Sequence, residues 1–438
     1  MSSGGPGLEA GQALGTRART VVLAAAFLGW MFAGVEMSLL PATTRPAIQD
    51  FMGTLDAGRG VEVAADRWFS WLLIAFLLGA AAGGALFGSL GDRIGRAKAM
   101  GASILCYSVF TGLGYGAATP EQLWLARFAA CLGVGGMWPN GVALAGEAWP
   151  GISRPLLAGL IGCAANVGFL IVGWIMLHHP ITRESWRWVL LVGASPALLG
   201  IFVLVAVPES PEWLAGRRRL RKDDAGTSAN VRPRGGLREV FSRGYRGRTM
   251  LGIVLGTIPL LGGWASGQRL VPWAGQYGES LGWPDLKAST QIVQSVGSVL
   301  GSLAGGWIAS WAGPRRSYFL VSLGSWGLSV LIFGFLTPGD AFFLPAVFLL
   351  GVVGVSYFGW LPYYLPGLFP TRIRATGAGV AYNFGRLFSA GAVLATAPLS
   401  ALFLGDVGRM GLATSTVYAL GLGLAWFIRL GDGQGDPA

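Results

Sequence analysis

The sequence predicts an all-α membrane protein, with twelve transmembrane helices in two six-helix bundles related by a pseudo-two-fold repeat. Three observations predict it. Of 438 residues, 53% are hydrophobic and only 12% are charged, whereas a soluble globular chain carries about 25% charged residues. The apolar residues gather in runs of the length that crosses a bilayer core, about 20 residues. The second half of the chain also repeats features of the first at a nearly constant offset.

The runs follow in order. Residues 1–20 form a Gly/Ser/Pro/Arg tail, expected to be disordered. The first run, 21–42, has no small-residue cleavage site after a short apolar core, so it reads as a retained span and not a removed signal peptide. Runs 69–90 and 99–118 flank a short charged turn. Runs 121–146 and 155–177 are rich in glycine and alanine, and 187–207 closes the first half. A basic linker, 208–247, divides the spans six and six. Within it Leu237, Val240, Phe241 and Tyr245 recur at helical spacing among arginines. They fit either an amphipathic helix at the membrane surface or a disordered basic linker. The second half holds 248–273, 289–312, 317–336, 341–366, 375–400 and 409–430, followed by a tail, 431–438. The 71 glycines suit helices that pack backbone against backbone in lipid.

Orientation follows from Lys and Arg. One set of loops carries Arg17, Arg19, Arg93, Arg96, Lys98, Arg154, the run Arg217–Lys222, Arg315, Arg316, Arg372 and Arg374, and the opposite set is sparse in basic residues. The positive-inside rule places both termini in the cytoplasm, in a bacterial-type inner membrane. The net charge of +11 lies almost wholly in these loops. It points to orientation in a lipid bilayer and not to nucleic acid. Cys106, Cys131 and Cys163 fall inside apolar runs, so packing is expected of them and a disulfide is not.

The repeat shows at two places. Trp149-Pro150 with Arg154 and Gly159 is echoed by Phe369-Pro370 with Arg374 and Gly379. Gly88-x-x-x-Asp92-Arg93-x-Gly95-Arg96 returns degraded as Gly306-x-x-x-Ser310 with Gly313, Arg315 and Arg316. Two matches at nearly one offset argue for duplication, and two bundles follow by analogy with other membrane proteins built from repeats.

The stretch Gly88–Arg96 resembles the signature between spans 2 and 3 of the major facilitator superfamily. That resemblance implies a secondary transporter working by alternating access. Arg127-Phe128 with Gly133, Gly135 and Gly136, ending near Glu147, resembles the fourth-span motif of the sugar porters. Pro208-Glu209-Ser210-Pro211-Glu212-Trp213-Leu214 is similar to the sugar-porter Pro-Glu-Ser-Pro-Arg-Trp-Leu, with Glu212 where that branch has Arg. Phe369-Pro370-Thr371-x-x-Arg374-Ala-Thr-Gly377 resembles bacterial metabolite:proton symporters and animal organic-ion transporters. The resemblance implies a gate built from Gly88, Asp92, Arg93, Gly95, Arg96, Glu147, Arg154, Glu209 and Arg374. Asp92 is expected to meet arginines and a helix N-terminus across the two halves. The replacement at Glu212 removes one family pairing, leaving Arg154 or Arg217 for Glu147.

Charges inside the spans are few, and three stand out: Glu36, Arg127 and Arg386. Each costs roughly 2.5–3.5 kcal/mol to insert at the bilayer centre, and so needs a partner or a wet cavity. Glu36 and Arg127 lie at matching depths on spans 1 and 4. In related proton-coupled porters such a pair carries the coupling proton on the acid, and that role is expected here; a static salt bridge is the alternative. Arg386 lies midway along span 11, twelve residues after Arg374, the spacing at which anion-carrying relatives contact substrate. A guanidinium there suits a carboxylate, which it can grip with two hydrogen bonds. Asn140, Asn166, Gln268, Gln291, Gln294, Tyr357, Trp360 and Asn383 are candidates to line a cavity, with helix-to-helix hydrogen bonding as the plainer role. His178 and His179 lack companions for a metal site, and no cofactor or enzymatic constellation is expected. The reading is a proton-coupled symporter of a small organic acid or sugar acid, such as a sialic acid. A neutral-sugar symporter is one alternative, and a nutrient sensor with a transporter fold is another.

Overall fold

The computed structural model describes residues 14–53, 59–149, 153–179, 181–226, 236–265, 267–283, 285–394, 403 and 406–428. The tail at 431–438, most of the tail at 1–20 and the end of span 11 lie outside them. Every regular element among the described residues is helical. The first half comprises α1 (Thr16–Phe51), α2 (Arg59–Ile94), α3 (Arg96–Gly114), α4 (Pro120–Ala148), α5 (Arg154–His178), α6 (Trp186–Ala194) and α7 (Ala197–Ala206). The linker carries α8 (Pro211–Gly226) and α9 (Leu237–Val240). The second half comprises α10 (Arg246–Ala265), α11 (Leu270–Leu281), α12 (Leu286–Ala312), α13 (Pro314–Phe335), α14 (Phe343–Tyr364), α15 (Arg374–Asn383), α16 (Gly385–Leu394), α17 (Val407–Ser415) and α18 (Val417–Leu424).

Nine described stretches are long and apolar enough to cross a membrane. The three expected spans that fall short are α3, α10 with α11, and α15 with α16. They are glycine-, serine- and threonine-rich, and the last two are broken. α1 and α2 run 36 residues each, well past the apolar runs 21–42 and 69–90. At 1.5 Å per residue each is about 54 Å long, more than a hydrocarbon core of about 30 Å. α1 even continues through Pro41 and Pro46. Each proline removes a backbone donor, and side-chain hydroxyls take up carbonyls nearby: Thr43 Oγ1 donates to Leu39 O and Thr44 Oγ1 to Leu40 O, both at 2.7 Å.

The linker differs from both of its expected forms. α9 ends at Val240, and a turn closed by Ser242 N–H donating to Glu239 O carries the chain into α10. Val240 and Tyr245 are buried while Leu237 and Phe241 are exposed. Residues 227–235 lie outside the description.

Two seams join the halves: α5 packs against α12 and α14, and α2 packs against α15 and α16. The sequence repeat reappears in them. Gly306 of α12 lies against Pro155 O of α5, where a Cβ would come within 2.6 Å. Its counterpart Gly88 of α2 lies against Ala375 O of α15, where a Cβ would come within 2.8 Å. Pro155 and Ala375 are themselves counterparts in the repeat, so the interface has the same two-fold character as the sequence. Inside the second half, a Cβ on Gly301 would run into the Val352 backbone, while one on Gly327 would meet nothing within 4 Å.

Gly301→Ala is therefore expected to push α12 from α14 and destabilise the protein by about 1–3 kcal/mol. Gly327→Ala should be neutral or stabilise by about 0.5–1 kcal/mol, since alanine is the better helix former. Thermal unfolding in detergent measures both. Equal melting of Gly301→Ala and the parent would show that the α12–α14 spacing is not set by this glycine.

Candidate functional site

Two constellations of buried charge stand out, one within the first half beside the α2–α16 contact and one across the α2–α15 seam. The first is central. Glu36 of α1 is 1% exposed. Arg127 Nη1, from α4, donates to its Oε1 at 2.5 Å and to its backbone carbonyl at 2.8 Å. The matching depth read from the sequence is thus an actual ion pair. Around it stand Thr111 and Tyr107 of α3 and Cys131 of α4, with Tyr107 Oη donating to Gly29 O at 3.1 Å. Glu36 Oε2, Arg127 Nε and Arg127 Nη2 are buried without a hydrogen-bond partner among the described residues.

Arg386 of α16 is 1% exposed. Its guanidinium stands 4.7 Å from the ring centre of Phe76 on α2 and 5.6 Å from that of Tyr382. Tyr382 in turn stacks on Trp138 of α4 at 4.1 Å, across the seam. Arg386 Nε and Nη1 lack partners among the described residues. Phe76, Trp138 and Tyr382 were not singled out from the sequence, because an aromatic in an apolar run carries no signal until the halves are brought together.

The expected cavity lining divides. Asn140 Nδ2 donates to Phe87 O and Gly136 O, tying α4 to α2. Asn383 Nδ2 donates to Gly135 O and Gly379 O, tying α15 to α4 across the seam. Asn166 Nδ2 donates to Ser302 Oγ at 3.1 Å, across the other seam. Tyr357 and Trp360 are seated away from the expected lining. Tyr357 shares a 2.6 Å hydrogen bond with Ser322, and Trp360 Nε1 donates to Pro314 O and Ser317 Oγ, so both turn into the second half against α13. Gln291 borders a small cleft with Ser38, Pro41, Val172, Val271 and Lys287. Gln294 is half-buried on the same helix, and the side chain of Gln268 lies outside the description.

The second constellation lies where α2 meets α3, at the end of the seam. Gly95 holds a φ of 115°, which an L side chain rarely adopts, and a Cβ there would also strike Glu209. The turn it makes starts α3. Glu209 Oε1 accepts Arg96 N–H at 2.7 Å and Ala97 N–H at 3.1 Å, so it caps that helix. Asp92 does the same across the seam. Its carboxylate accepts Thr376 N–H at 2.8 Å, Ala375 N–H at 3.3 Å and Thr376 Oγ1 at 2.5 Å, at the start of α15. A helix start carries partial positive charge and free N–H groups, so a carboxylate is favoured there.

Arg96 is fully buried. It pairs with Asp92 at 3.0 Å and Glu147 at 3.3 Å and donates to Thr371 O at 2.5 Å. Arg374 pairs with Glu147 at 3.1 Å and with Glu212 at 3.0 Å. Four acids thus face two arginines, and the two helix starts supply the missing positive charge. Of the partners expected for Glu147, Arg217 is corrected: Glu147, at the end of α4, meets Arg96 and Arg374 and also accepts a hydrogen bond from Ser210 Oγ of the linker. Arg217 is exposed and lies over the Trp213 ring at 5.1 Å. The Arg154 side chain lies outside the description, and Arg93 is exposed at the rim. Glu212, which read as a departure, is a working member: it also accepts Thr371 Oγ1 at 3.3 Å.

Asp92→Asn keeps the shape but loses the charge, and hydrogen bonds to a charged group contribute about 1.5–3 kcal/mol. Deuterium exchange at the Ala375 and Thr376 amides should then speed up roughly tenfold or more. Unchanged protection would mean that the seam is held closed by other contacts.

A family model, the Major Facilitator Superfamily, matches residues 20–393. The cis,cis-muconate transport protein of Acinetobacter baylyi is 27% identical over 424 residues, covering 95% of this chain and 93% of that protein. The sialic acid transporter NanX of Escherichia coli is 24% identical over 304 residues, covering 69% and 71%. The solved proton:xylose symporter XylE has the same fold, with a TM-score of 0.73 at 16% identity over 94% of this chain and 96% of that one. With this match over most of its length, and two seams between repeated bundles, the chain belongs to the major facilitator superfamily and is a membrane transporter, not an enzyme.

Proposed function

We propose that the protein is a proton-coupled symporter of a small organic acid. The carrying observation is Arg386, a buried guanidinium at the α2–α15/α16 seam with two nitrogens unpartnered among the described residues. Glu36 and Arg127 neutralise one another, so Arg386 is the positive charge left over. A substrate carboxylate offset against it would form charge-assisted, two-pronged hydrogen bonds. The relatives named for cis,cis-muconate and sialic acid support an acid. In this reading Glu36 carries the proton, and Arg127 responds to whether it is charged. Residues 21–207 and 248–430 are the rocking bundles, joined by 208–247. The gate around Asp92 faces the cytoplasm, as do both termini, in an inner membrane. The state described then has its cytoplasmic end sealed. A neutral-sugar symporter is the second reading, favoured by the Pro208–Leu214 stretch.

Competition binding of an acid and its amide decides between them. The acid should compete at least about tenfold better, a difference that Arg386→Ala removes and Arg386→Lys reduces, since an ammonium lacks the planar fork. An amide that competes as well as the acid overturns the acid reading in favour of the sugar.

Coupling has its own test. Glu36→Gln in proteoliposomes should abolish accumulation driven by a pH gradient while leaving substrate exchange across the membrane intact. Accumulation at the parental level would reduce Glu36 to a structural role.

A further inference from the structure

Arg127 and Arg386 come from different halves, yet both stand over one ring. Their guanidinium carbons lie 5.9 Å and 4.7 Å from the centre of Phe76, so they are no farther apart than those two distances together. Both side chains are buried, at 9% and 1% exposure. Each keeps two guanidinium nitrogens without a partner among the described residues: Nε and Nη2 of Arg127, and Nε and Nη1 of Arg386. Only one carboxylate, Glu36, pairs with either of them among the described residues. The other titratable side chains facing the cluster are Tyr107 from α3, Cys131 from α4 and Tyr382 from α15, and none of these is charged at ordinary pH. Thr111 of α3 adds only a hydroxyl.

The charge count is then simple. With Glu36 ionised the cluster carries one net positive charge, and with Glu36 protonated it carries two. Uncompensated charge in a buried, low-dielectric site is strongly disfavoured. A ligand with one negative charge balances the ionised cluster and needs no proton. A ligand with two balances only the protonated one.

We propose that the site is built for a dianion, a small dicarboxylate that sets one carboxylate on Arg386 and the other on Arg127, with its carbon chain against Phe76. The proton on Glu36 releases Arg127 to the second carboxylate, so the proton enters because the substrate brings a second charge. This rests on the reading of the site as an organic-acid site with Glu36 as its proton carrier. One proton and one dianion move together, and the loaded cluster is neutral.

The test uses the full chain in proteoliposomes containing a pH-sensitive dye. Succinate, glutarate and adipate are each compared with their monomethyl ester and their diamide. At least one diacid should bind about tenfold or more tightly than its monoester, and its uptake should acidify the lumen where monoester uptake does not. Arg127→Gln should erase that preference while still binding the monoester, and Arg127→Lys, which keeps the charge and so the fold, should weaken the preference. Diacids that bind no better than their monoesters, or no binding by any of the three diacids, would overturn the dianion assignment. In the first case acid-over-amide selectivity survives, and only this inference falls. A diamide that binds as well as its diacid removes the organic-acid reading together with it.

Discussion

The start of α15 is the point on which the closed seam depends. Its free N–H groups need acceptors, and they lie too deep in the protein for water to serve all of them. Asp92 supplies the acceptors from the other half of the chain. That one carboxylate is also a partner of Arg96, which reaches Glu147, which reaches Arg374, which reaches Glu212. The pairs of Arg96 with Asp92 and Glu147 lie within the first half, so parting the halves costs the Asp92 cap on α15, the Arg96 bond to Thr371 O and the Arg374–Glu147 pair together, and closure is cooperative in the way buried polar networks are. Glu209 works locally by comparison. It caps α3 within the first half and fixes the turn at Gly95 from which Arg96 projects.

The central constellation obeys the opposite logic. The outer network is nearly saturated, whereas the centre keeps unsatisfied atoms: one oxygen of Glu36 and four nitrogens of Arg127 and Arg386. Buried groups left unpaired are costly. Among the described residues, the unpartnered buried atoms of charged side chains gather mainly here. The glycines make this geometry possible. They let α2 approach α15, and α12 approach α5, closely enough for short side chains such as Asn383, Asn166 and Ser302 to bridge between helices.

Much of this was legible in the sequence, and the reasons are physical. A bilayer forces apolar runs of spanning length, so the all-helical, membrane-spanning class is written in composition. Charges inside lipid are so costly that Glu36, Arg127 and Arg386 stand out individually. Their pairing, or lack of it, followed from depth alone. Polar residues that are not charged are cheap enough to serve as helix glue anywhere. Asn140, Tyr357 and Trp360 therefore could not be sorted into cavity or packing until their partners were visible. The partners of Glu147 were hidden for a related reason. Its partners Arg96 and Arg374 are distant in sequence, and which face of α4 carries Glu147 is set by packing across the seam. Phe76 gave no warning, since its importance comes from what stands over it.

The two seams are matched in shape but not in chemistry. Gly88 against Ala375 and Gly306 against Pro155 are equivalent contacts, yet the position equivalent to Asp92 is Ser310, whose hydroxyl donates to Trp307 O within its own helix. One seam is therefore fastened by a carboxylate on a helix start, and at the equivalent position of the other a hydroxyl only bonds within its own helix. A molecule whose halves part at this end does not open as two equal leaves. The α2–α15 edge has to give up charge-assisted and capping bonds, whereas the position equivalent to Asp92 on the α5–α12 edge gives up none.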